Sequence, residues 1–294
     1  MDEALKKILL ATDGSGGAAL AARAAIDLSS ETGAKLHVVH ARQPEDSGAY
    51  VPSVPGTDHA WCEQRARRLL DGQTERIEET GGSVVESHLV AGEASEEIAG
   101  LAEAHDVDLV VLGRCESGAV GRPASVSEEM SRIVDRPVLV VKGKKGGWPP
   151  SRIVVGEDFS EGSGDVARLA ATLGGLYGAR MLLLHAYPLL DLGQKAPILG
   201  VFRVNGEVRA ARSRLEELAE ELEPLAGTAP QVRVAVGEPA DAIAEAAAEE
   251  PGATLVIVGS RGLGMLERLR DGSVSTRVLR GVDAPVLICP RREG

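Results

Sequence analysis

The sequence reads Leu255-Val256-Ile257-Val258-Gly259-Ser260-Arg261-Gly262-Leu263-Gly264 near its C-terminal end, and Asp271-Gly272-Ser273-Val274-Ser275 follows shortly after. A short apolar run that stops at a glycine predicts a buried parallel strand whose carboxyl end leads into a loop. Glycines in that loop would let backbone N–H groups approach an anion closely, and Ser273 is predicted to open a helix with unpaired N–H groups of its own. We therefore interpret the stretch as a phosphate-binding loop.

The chain repeats itself once. An offset of 145 residues joins Asp13 to Asp158 and His40 to His185, and each of these residues ends an apolar run. The offset has grown to 148 by the final apolar run of each half, and most of the growth falls in the glycine loop. The two halves therefore share one fold, with a longer loop in the second half.

Each half is predicted to alternate strands with helices. The first strand (about 7–12 or 152–157) precedes an Ala-rich helix and a second strand (about 35–41 or 180–186). Then come a flexible Pro/Gly-rich connection (about 43–57 or 188–206), a charged amphipathic helix (about 60–80 or 207–226), and a third strand. A short helix, a fourth strand, another helix and a fifth strand complete the half. The predicted fold class is α/β, with two doubly wound, five-stranded parallel-sheet domains in tandem.

The domain boundary is predicted in segment 143–150, where glycines are followed by a pair of prolines that can join neither neighbouring element. The first domain is expected over residues 1–143 and the second over residues 151–294. In a doubly wound sheet, a ligand binds beyond the carboxyl ends of the strands where the strand order reverses. If the first and fourth strands of the second half are neighbours, Asp158 lies beside the glycine loop.

The composition limits the classes of partner. Acidic residues outnumber basic ones 44 to 32, which gives a net charge of −12, so neither a nucleic acid nor an anionic membrane is expected as a partner. No apolar run approaches the ~20 residues of a membrane span and the first residues do not resemble a signal sequence, so we expect a soluble, cytoplasmic protein. The cysteines form no CxxC pair and the histidines no HxH or HExxH pattern, so no metal site is predicted.

The glycine loop resembles a known signature. Gly259, two residues, Gly262, nine residues, Gly272-Ser273, one residue and Ser275 form the pattern of ATP-binding universal stress proteins, and the runs ending at Asp158 and Ala186 are similar to that family too. The resemblance covers the whole chain twice. It implies a tandem universal stress protein with Rossmann-like domains of the adenine nucleotide alpha hydrolase type, and ATP, with or without Mg²⁺, in the second half. The implied contacts are Asp158 and the backbone of Ala186 at the adenosine end, and Gly259, Gly262, Gly272, Ser273 and Ser275 at the ribose and phosphates.

The first half departs from this pattern. Glu116 stands where Gly262 stands in the second half, Ala124 replaces Gly272, and the loop is two residues shorter. A carboxylate that faces a triphosphate is repulsive, by roughly 1 kcal/mol near 4 Å in water and by more where water is excluded. We therefore expect the first half to keep the fold but to bind nucleotide poorly, although Asp13 is intact.

Plainer interpretations of the same residues stay open. Asp158 is also a favourable helix cap, and Gly272-Ser273 is also a common helix start. His40 and His185 recur in both halves, including the half without the glycine motif, which favours a structural role. Three arginines in or near the glycine loop, Arg261, Arg268 and Arg270, either contact phosphates or are simply solvated.

Binding is better supported than catalysis. The sequence has no Walker phosphate loop, no dinucleotide fingerprint and no GxSxG elbow. Neither a carboxylate that holds a metal ion nor a group that orients water can be assigned. Three hypotheses remain, namely a nucleotide-dependent regulatory or stress-response protein, a slow ATP hydrolase and a ligand-free scaffold.

The last strand of each half is expected at an exposed edge. The segments 138–141 and 286–289 are apolar and follow prolines, and strand edges of that kind pair with other strands. In single-domain members of the family that the chain resembles, the fifth strands pair across a dimer, which implies an intramolecular pseudo-dimer here. A homodimer of whole chains and a protein partner of unknown identity are further expectations.

Overall fold

The computed structural model describes residues 5–42, 59–114, 126–143, 147–187, 197–260 and 274–290, with the backbone alone for 59–60 and 197–205. The chain divides into two compact units, a first unit at Met1–Lys142 and a second unit at Gly143–Gly294. Both units are built from strands that alternate with helices.

The described part of the first unit forms a parallel sheet in the order β3-β2-β1-β4-β5. Its elements follow one another as β1 (Lys7–Ala11), α1 (Gly16–Thr32), β2 (Lys35–Arg42), α2 (His59–Glu79), β3 (Val84–Ala91), α3 (Ala94–Ala104), β4 (Leu109–Gly113), α4 (Val126–Ile133) and β5 (Val138–Val141). The strand order reverses at β1, because β1 pairs with β2 on one side and with β4 on the other.

The described part of the second unit repeats this arrangement, with parallel strands in the order β8-β7-β6-β9-β10. Its elements are β6 (Arg152–Gly156), α5 (Ser163–Tyr177), β7 (Arg180–Tyr187), α6 (Pro197–Ala226), β8 (Gln231–Val236), α7 (Pro239–Ala248), β9 (Thr254–Gly259), α8 (Val274–Gly281) and β10 (Val286–Cys289). The predicted fold class, with doubly wound parallel sheets in tandem, is confirmed.

Burial along the strands follows from their place in each sheet. The central strands β1, β4, β6 and β9 are almost wholly buried, as expected for parallel strands covered on both faces. Their side chains are Val, Ile and Leu with little else, and Ile8, Val110, Ile153 and Leu255 are each fully buried. The outer strands β3 and β8 are only partly buried, so they can carry polar side chains.

One element differs from the sequence prediction in its length. The helix expected from about residue 207 begins at Pro197, so part of the connection predicted to be flexible is helical. Proline is favoured in the first turn of a helix, where its missing N–H would have no partner. Although α6 has 30 residues, no helix in the described ranges is both long and apolar enough to cross a membrane.

Candidate functional site

The carboxyl ends of three neighbouring strands meet at the switch point of the second unit. β6 lies between β7 and β9, and Gly156 pairs with Leu184 on one side and with Val258 on the other. Two residues further along each chain segment come Asp158, Ala186 and Ser260. The register therefore brings Asp158, the backbone of Ala186 and the end of β9 at Gly259 to one edge of the sheet.

The remaining predicted contacts belong to the loop and helix after β9. Ser275 is buried in the first turn of α8. Gly262, Gly272 and Ser273 lie outside the described residues. The structure thus brings Asp158, Ala186 and Gly259 to one edge of the sheet, and it places Ser275 in the helix that follows the glycine loop in the sequence.

Asp158 is exposed and closes a tight turn. Its Oδ1 accepts hydrogen bonds from the backbone N–H of Ser160, at 3.0 Å, and from the Ser160 hydroxyl. The interpretation of Asp158 as a helix cap does not hold, because the N-cap of α5 is Gly162. The carboxylate is instead held by this turn just after the end of β6, and ligands of doubly wound folds bind at that edge of the sheet.

Glu157 is a site residue that sequence reasoning missed. It is 4% exposed, and its Oε1 accepts the N–H of Phe159 at 2.6 Å, whereas Oε2 has no hydrogen-bond partner among the described residues. A buried carboxylate oxygen without a donor is costly. The signal in the sequence was a glutamate directly after an apolar strand, where the first half has Thr12.

Phe159 adopts a backbone conformation that bulky side chains rarely take, with φ at 57°. Its ring lies 4.7 Å from the imidazole of His185, centroid to centroid, and the guanidinium carbon of Arg214 on α6 lies 4.0 Å above it. These contacts offset part of the strain. In the first unit the same position is Gly14, at a φ of 76°, so only the second unit places an aromatic wall there.

The repeated histidines link strand ends. His185 Nδ1 donates to the backbone carbonyl of Glu157 at 2.8 Å, and His40 Nδ1 makes the same contact with Thr12 at 2.8 Å. The identical hydrogen bond in both units supports a structural role for these two imidazoles.

The space beyond the fourth strand differs between the units. A Cβ atom added to Gly113 would overlap the backbone of Gly17 at the start of α1. The described atoms leave room at Gly259, where an added Cβ would meet only Val166 Cγ2, at 3.8 Å. The cause is the helix start, because α1 begins at Gly16 while α5 begins at Ser163, two positions later in the repeat. The first unit thus closes the strand end that the second unit leaves open to its loop.

Comparison with known proteins decides the family. The sequence model of the universal stress protein family matches residues 4–142 and again residues 150–290. The chain belongs to the universal stress protein family. A universal stress protein of Mycobacterium tuberculosis is 29% identical over 267 residues, which cover 86% of this chain and 85% of the relative. One of Thermus aquaticus is 32% identical over 138 residues, 46% of this chain and 96% of the relative.

Solved structures of the family share the fold. A universal stress protein from Archaeoglobus fulgidus superposes with a TM-score of 0.68 at 21% identity, over 97% of this chain and 98% of that one. A universal stress protein from Pseudomonas aeruginosa superposes with a TM-score of 0.64 at 16% identity, over 97% and 93%. The tandem arrangement of two α/β units is thus a known architecture of universal stress proteins.

One further group borders the site in this universal stress protein, the thiol of Cys289. Cys289 pairs with Gly259 in the register of β10 and β9. Burial raises the pKa of its thiol to about 12. The thiol is therefore protonated near neutral pH and unsuited to nucleophilic chemistry.

Proposed function

We propose that the second unit binds an adenine nucleotide, ATP in the first instance, and that the protein acts as a nucleotide-dependent regulator in a stress response. The nucleotide would lie at the carboxyl ends of β6, β7 and β9, with Asp158 and the backbone of Ala186 at the adenosine end. The loop after β9 would hold the ribose and phosphates through Gly259, Gly262, Gly272, Ser273 and Ser275. Membership of the universal stress protein family supports this assignment.

The observation that carries the proposal is the buried carboxylate of Glu157 beside Asp158. Its Oε2 has no donor among the described residues, although burial of a carboxylate demands one. The amino group of adenine and the hydroxyl groups of ribose are donors, and a phosphate is not. Glu157 therefore favours a ligand whose nucleoside end, rather than its phosphates, faces β6.

Binding without rapid turnover is the expected behaviour. The described side chains around the site are two carboxylates, the Phe159 ring with Arg214 above it, an imidazole that is bonded to a backbone carbonyl, and the protonated thiol of Cys289. A bound nucleotide would order the loop after β9 and so change the surface that a protein partner meets. The partner would then bind differently to the ATP-bound and the ATP-free protein.

The test is mass spectrometry of nucleotide released from freshly purified protein. We expect an adenine nucleotide at about one per chain in the wild type, and its loss in Gly262→Glu, which places the first half's carboxylate in the second half's loop. Asp158→Ala is expected to weaken ATP binding roughly tenfold or more, because a charged hydrogen-bond acceptor is lost. Asp13→Ala, the matched change in the first unit, should leave binding unchanged.

Three results would contradict the proposal. Equal nucleotide in the wild type and in Gly262→Glu would place the ligand elsewhere in the chain. The complete absence of nucleotide, both as purified and after dialysis against ATP, would leave the protein a scaffold. Release of ADP from added ATP at a steady rate would replace regulation by occupancy with slow hydrolysis.

A further inference from the structure

Three of the six histidines of the chain gather in the first unit, away from the strand ends described above. β2 and β3 pair so that His37 lies opposite Glu86, and His88 follows two residues later on the same face of β3. His105 is the C-cap residue of α3, the helix that packs on this face. We call His37, Glu86, His88 and His105 the histidine cluster.

The ligand atoms of the histidine cluster are close enough to share one ion. His37 Nδ1 lies 3.5 Å from His88 Nε2 and 3.9 Å from Glu86 Oε2, and His88 Nε2 lies 3.7 Å from Glu86 Oε2. One ligand atom from each of the four residues lies within 4.8 Å of the other three. In a tetrahedral zinc site with bonds of ~2.0–2.2 Å, ligand atoms stand ~3.3–3.6 Å apart. A contraction of a few tenths of an ångström would bring the three measured edges to that geometry.

Burial favours the neutral form of two of the imidazoles, those of His37 and His88. Burial lowers the pKa of His37, and the neighbouring His88 and His105 lower it further, against the opposite effect of Glu86. Burial also lowers the pKa of His88. Neutral imidazole is the form that ligates a metal. The positive charge of Lys7 also lowers the pKa of His37 and would repel a bound cation. Its ammonium, however, donates to the backbone carbonyl of His105 at 2.7 Å and so holds that residue in place.

In the second unit, ion pairs fill the same place. The positions of His88 and His105 are occupied there by Arg233 and Glu250. These form ion pairs, Arg233 with Glu249 at 2.6 Å and Arg180 with Glu250 at 2.6 Å. Ion pairing satisfies charged side chains directly. The first unit instead collects three imidazoles whose shortest polar contact with one another is 3.5 Å, at the limit of a hydrogen bond.

We propose that the histidine cluster binds one Zn²⁺ ion, held by the nitrogens of His37, His88 and His105 and by the carboxylate of Glu86. Three imidazoles and one carboxylate form a ligand set that Zn²⁺ prefers, and four protein ligands make a closed, structural site. The ion would tie β2 and β3 to the C-terminal end of α3. The expected role is to stabilise the first unit, independently of any nucleotide in the second.

The first experiment measures zinc directly. The full chain is stripped with a chelator and titrated with Zn²⁺ in competition with a chromogenic chelator. We expect one equivalent per chain and a rise in the unfolding temperature of the first unit. Co²⁺ in place of zinc should give the intense visible bands of a tetrahedral ion. Glu86→Gln keeps the size of an exposed side chain and should weaken zinc binding at least about tenfold.

Two further variants separate ligation from folding. His88→Arg with His105→Glu replaces two ligands by the residues found at these positions in the second unit, so it should lose the zinc site, and far-ultraviolet circular dichroism checks that it folds. His40→Asn removes an imidazole from β2, the strand that carries His37, but outside the histidine cluster. This variant should keep the zinc site. No zinc bound by the wild type would overturn the proposal. So would an unchanged zinc stoichiometry and affinity in the His88→Arg, His105→Glu variant.

Discussion

Beside the C-terminal end of α3 the first unit gathers histidines, whereas beside the C-terminal end of α7 the second unit gathers arginines and glutamates. The strands pair alike in both places, since His37 pairs with Glu86 as Leu182 pairs with Gln231, although the first unit has a register shift between Leu36 and His37. The chief difference lies in the side chains. The lesson is that the repeat conserves its apolar strands while its partly exposed outer strands are free to take up separate polar chemistry.

The opposite end of each sheet shows a difference of another kind. There the backbone itself differs, because α1 starts close to the end of β4 while α5 starts later in the repeat. Gly14 and Thr12 of the first unit are replaced by Phe159 and Glu157. Among the described residues, the room at the end of β9 therefore depends on where a helix begins.

The largest effect is expected from a methyl group at the end of the fourth strand. Gly113→Ala should destabilise the protein by about 3 kcal/mol, because the added Cβ overlaps the backbone of Gly17 and cannot be relieved by a side-chain rotation. Gly259→Ala, the matched change, should alter stability by less than about 1 kcal/mol while it weakens nucleotide binding. Urea unfolding followed by circular dichroism measures the first quantity, and ATP titration the second.

Two results from Gly113→Ala and Gly259→Ala would contradict this difference between the ends of β4 and β9. Equal destabilisation by both would mean that the end of β9 is as tightly covered as the end of β4. Intact ATP binding by Gly259→Ala would mean that the backbone there does not approach the phosphates.

A smaller effect should follow from removing the cation at the start of the first strand of each unit. Arg152 is 5% exposed and donates to the carbonyl of Ala246 at 2.8 Å and to Glu249 at 2.6 Å. Arg152→Met should cost about 2–3 kcal/mol, since a buried, charge-assisted network is broken. Lys7→Met removes a single hydrogen bond to a backbone carbonyl and should cost about 1 kcal/mol.

The measurement for this pair is urea unfolding in the presence of a chelator, so that metal binding to the histidine cluster does not contribute. Trp148, whose ring contacts Tyr177 within the second unit at 5.5 Å, reports on Arg152→Met by fluorescence. A larger loss for Lys7→Met than for Arg152→Met would show that the ion pairs of the second unit add little to its stability.

Much of the fold could be predicted from the sequence, because the apolar runs end at the same residues in both halves. These run ends single out Asp158 and Gly259, and the structure places Asp158 two residues after the end of β6 and Gly259 at the end of the neighbouring strand β9. Glu157 and Phe159 were not, since their importance depends on burial and on contact with Arg214, a residue of a distant helix. A motif fixes spacing along the chain, whereas these contacts arise from packing.

The histidine cluster illustrates the same limit more strongly. His37 and His88 are 51 residues apart in sequence, and they meet only because β2 and β3 pair in a particular register. Searches for closely spaced ligands along the chain could not find them. The single local signal was Glu86 and His88, two residues apart on one strand, which place two potential ligands on the same face.

The smallest effect concerns acid and the ion pairs of the second unit. Hydrogen bonds from Arg233, which has the larger effect, and from Arg152 lower the pKa of Glu249 to about 2. In the unfolded chain a glutamate titrates near ~4.3, so the folded state gains stability from this carboxylate above that pH and loses it as the pH falls from about 4.3 to about 2. Because the Glu249 side chain is 44% exposed, the contribution should stay near ~1 kcal/mol.

Glu249→Gln tests this directly. At pH 7 the variant should be less stable than the wild type, and the difference should shrink steadily as the pH is lowered towards 2, when the wild-type carboxylate also becomes protonated. Urea unfolding at a series of pH values, followed through Trp148, gives the difference at each point. Glu245→Gln, which removes an exposed carboxylate from the same helix, is the matched control. The first unit has Ala104 in place of Glu249, so a stability difference that did not change with pH would mean that this position distinguishes the two units by packing rather than by charge.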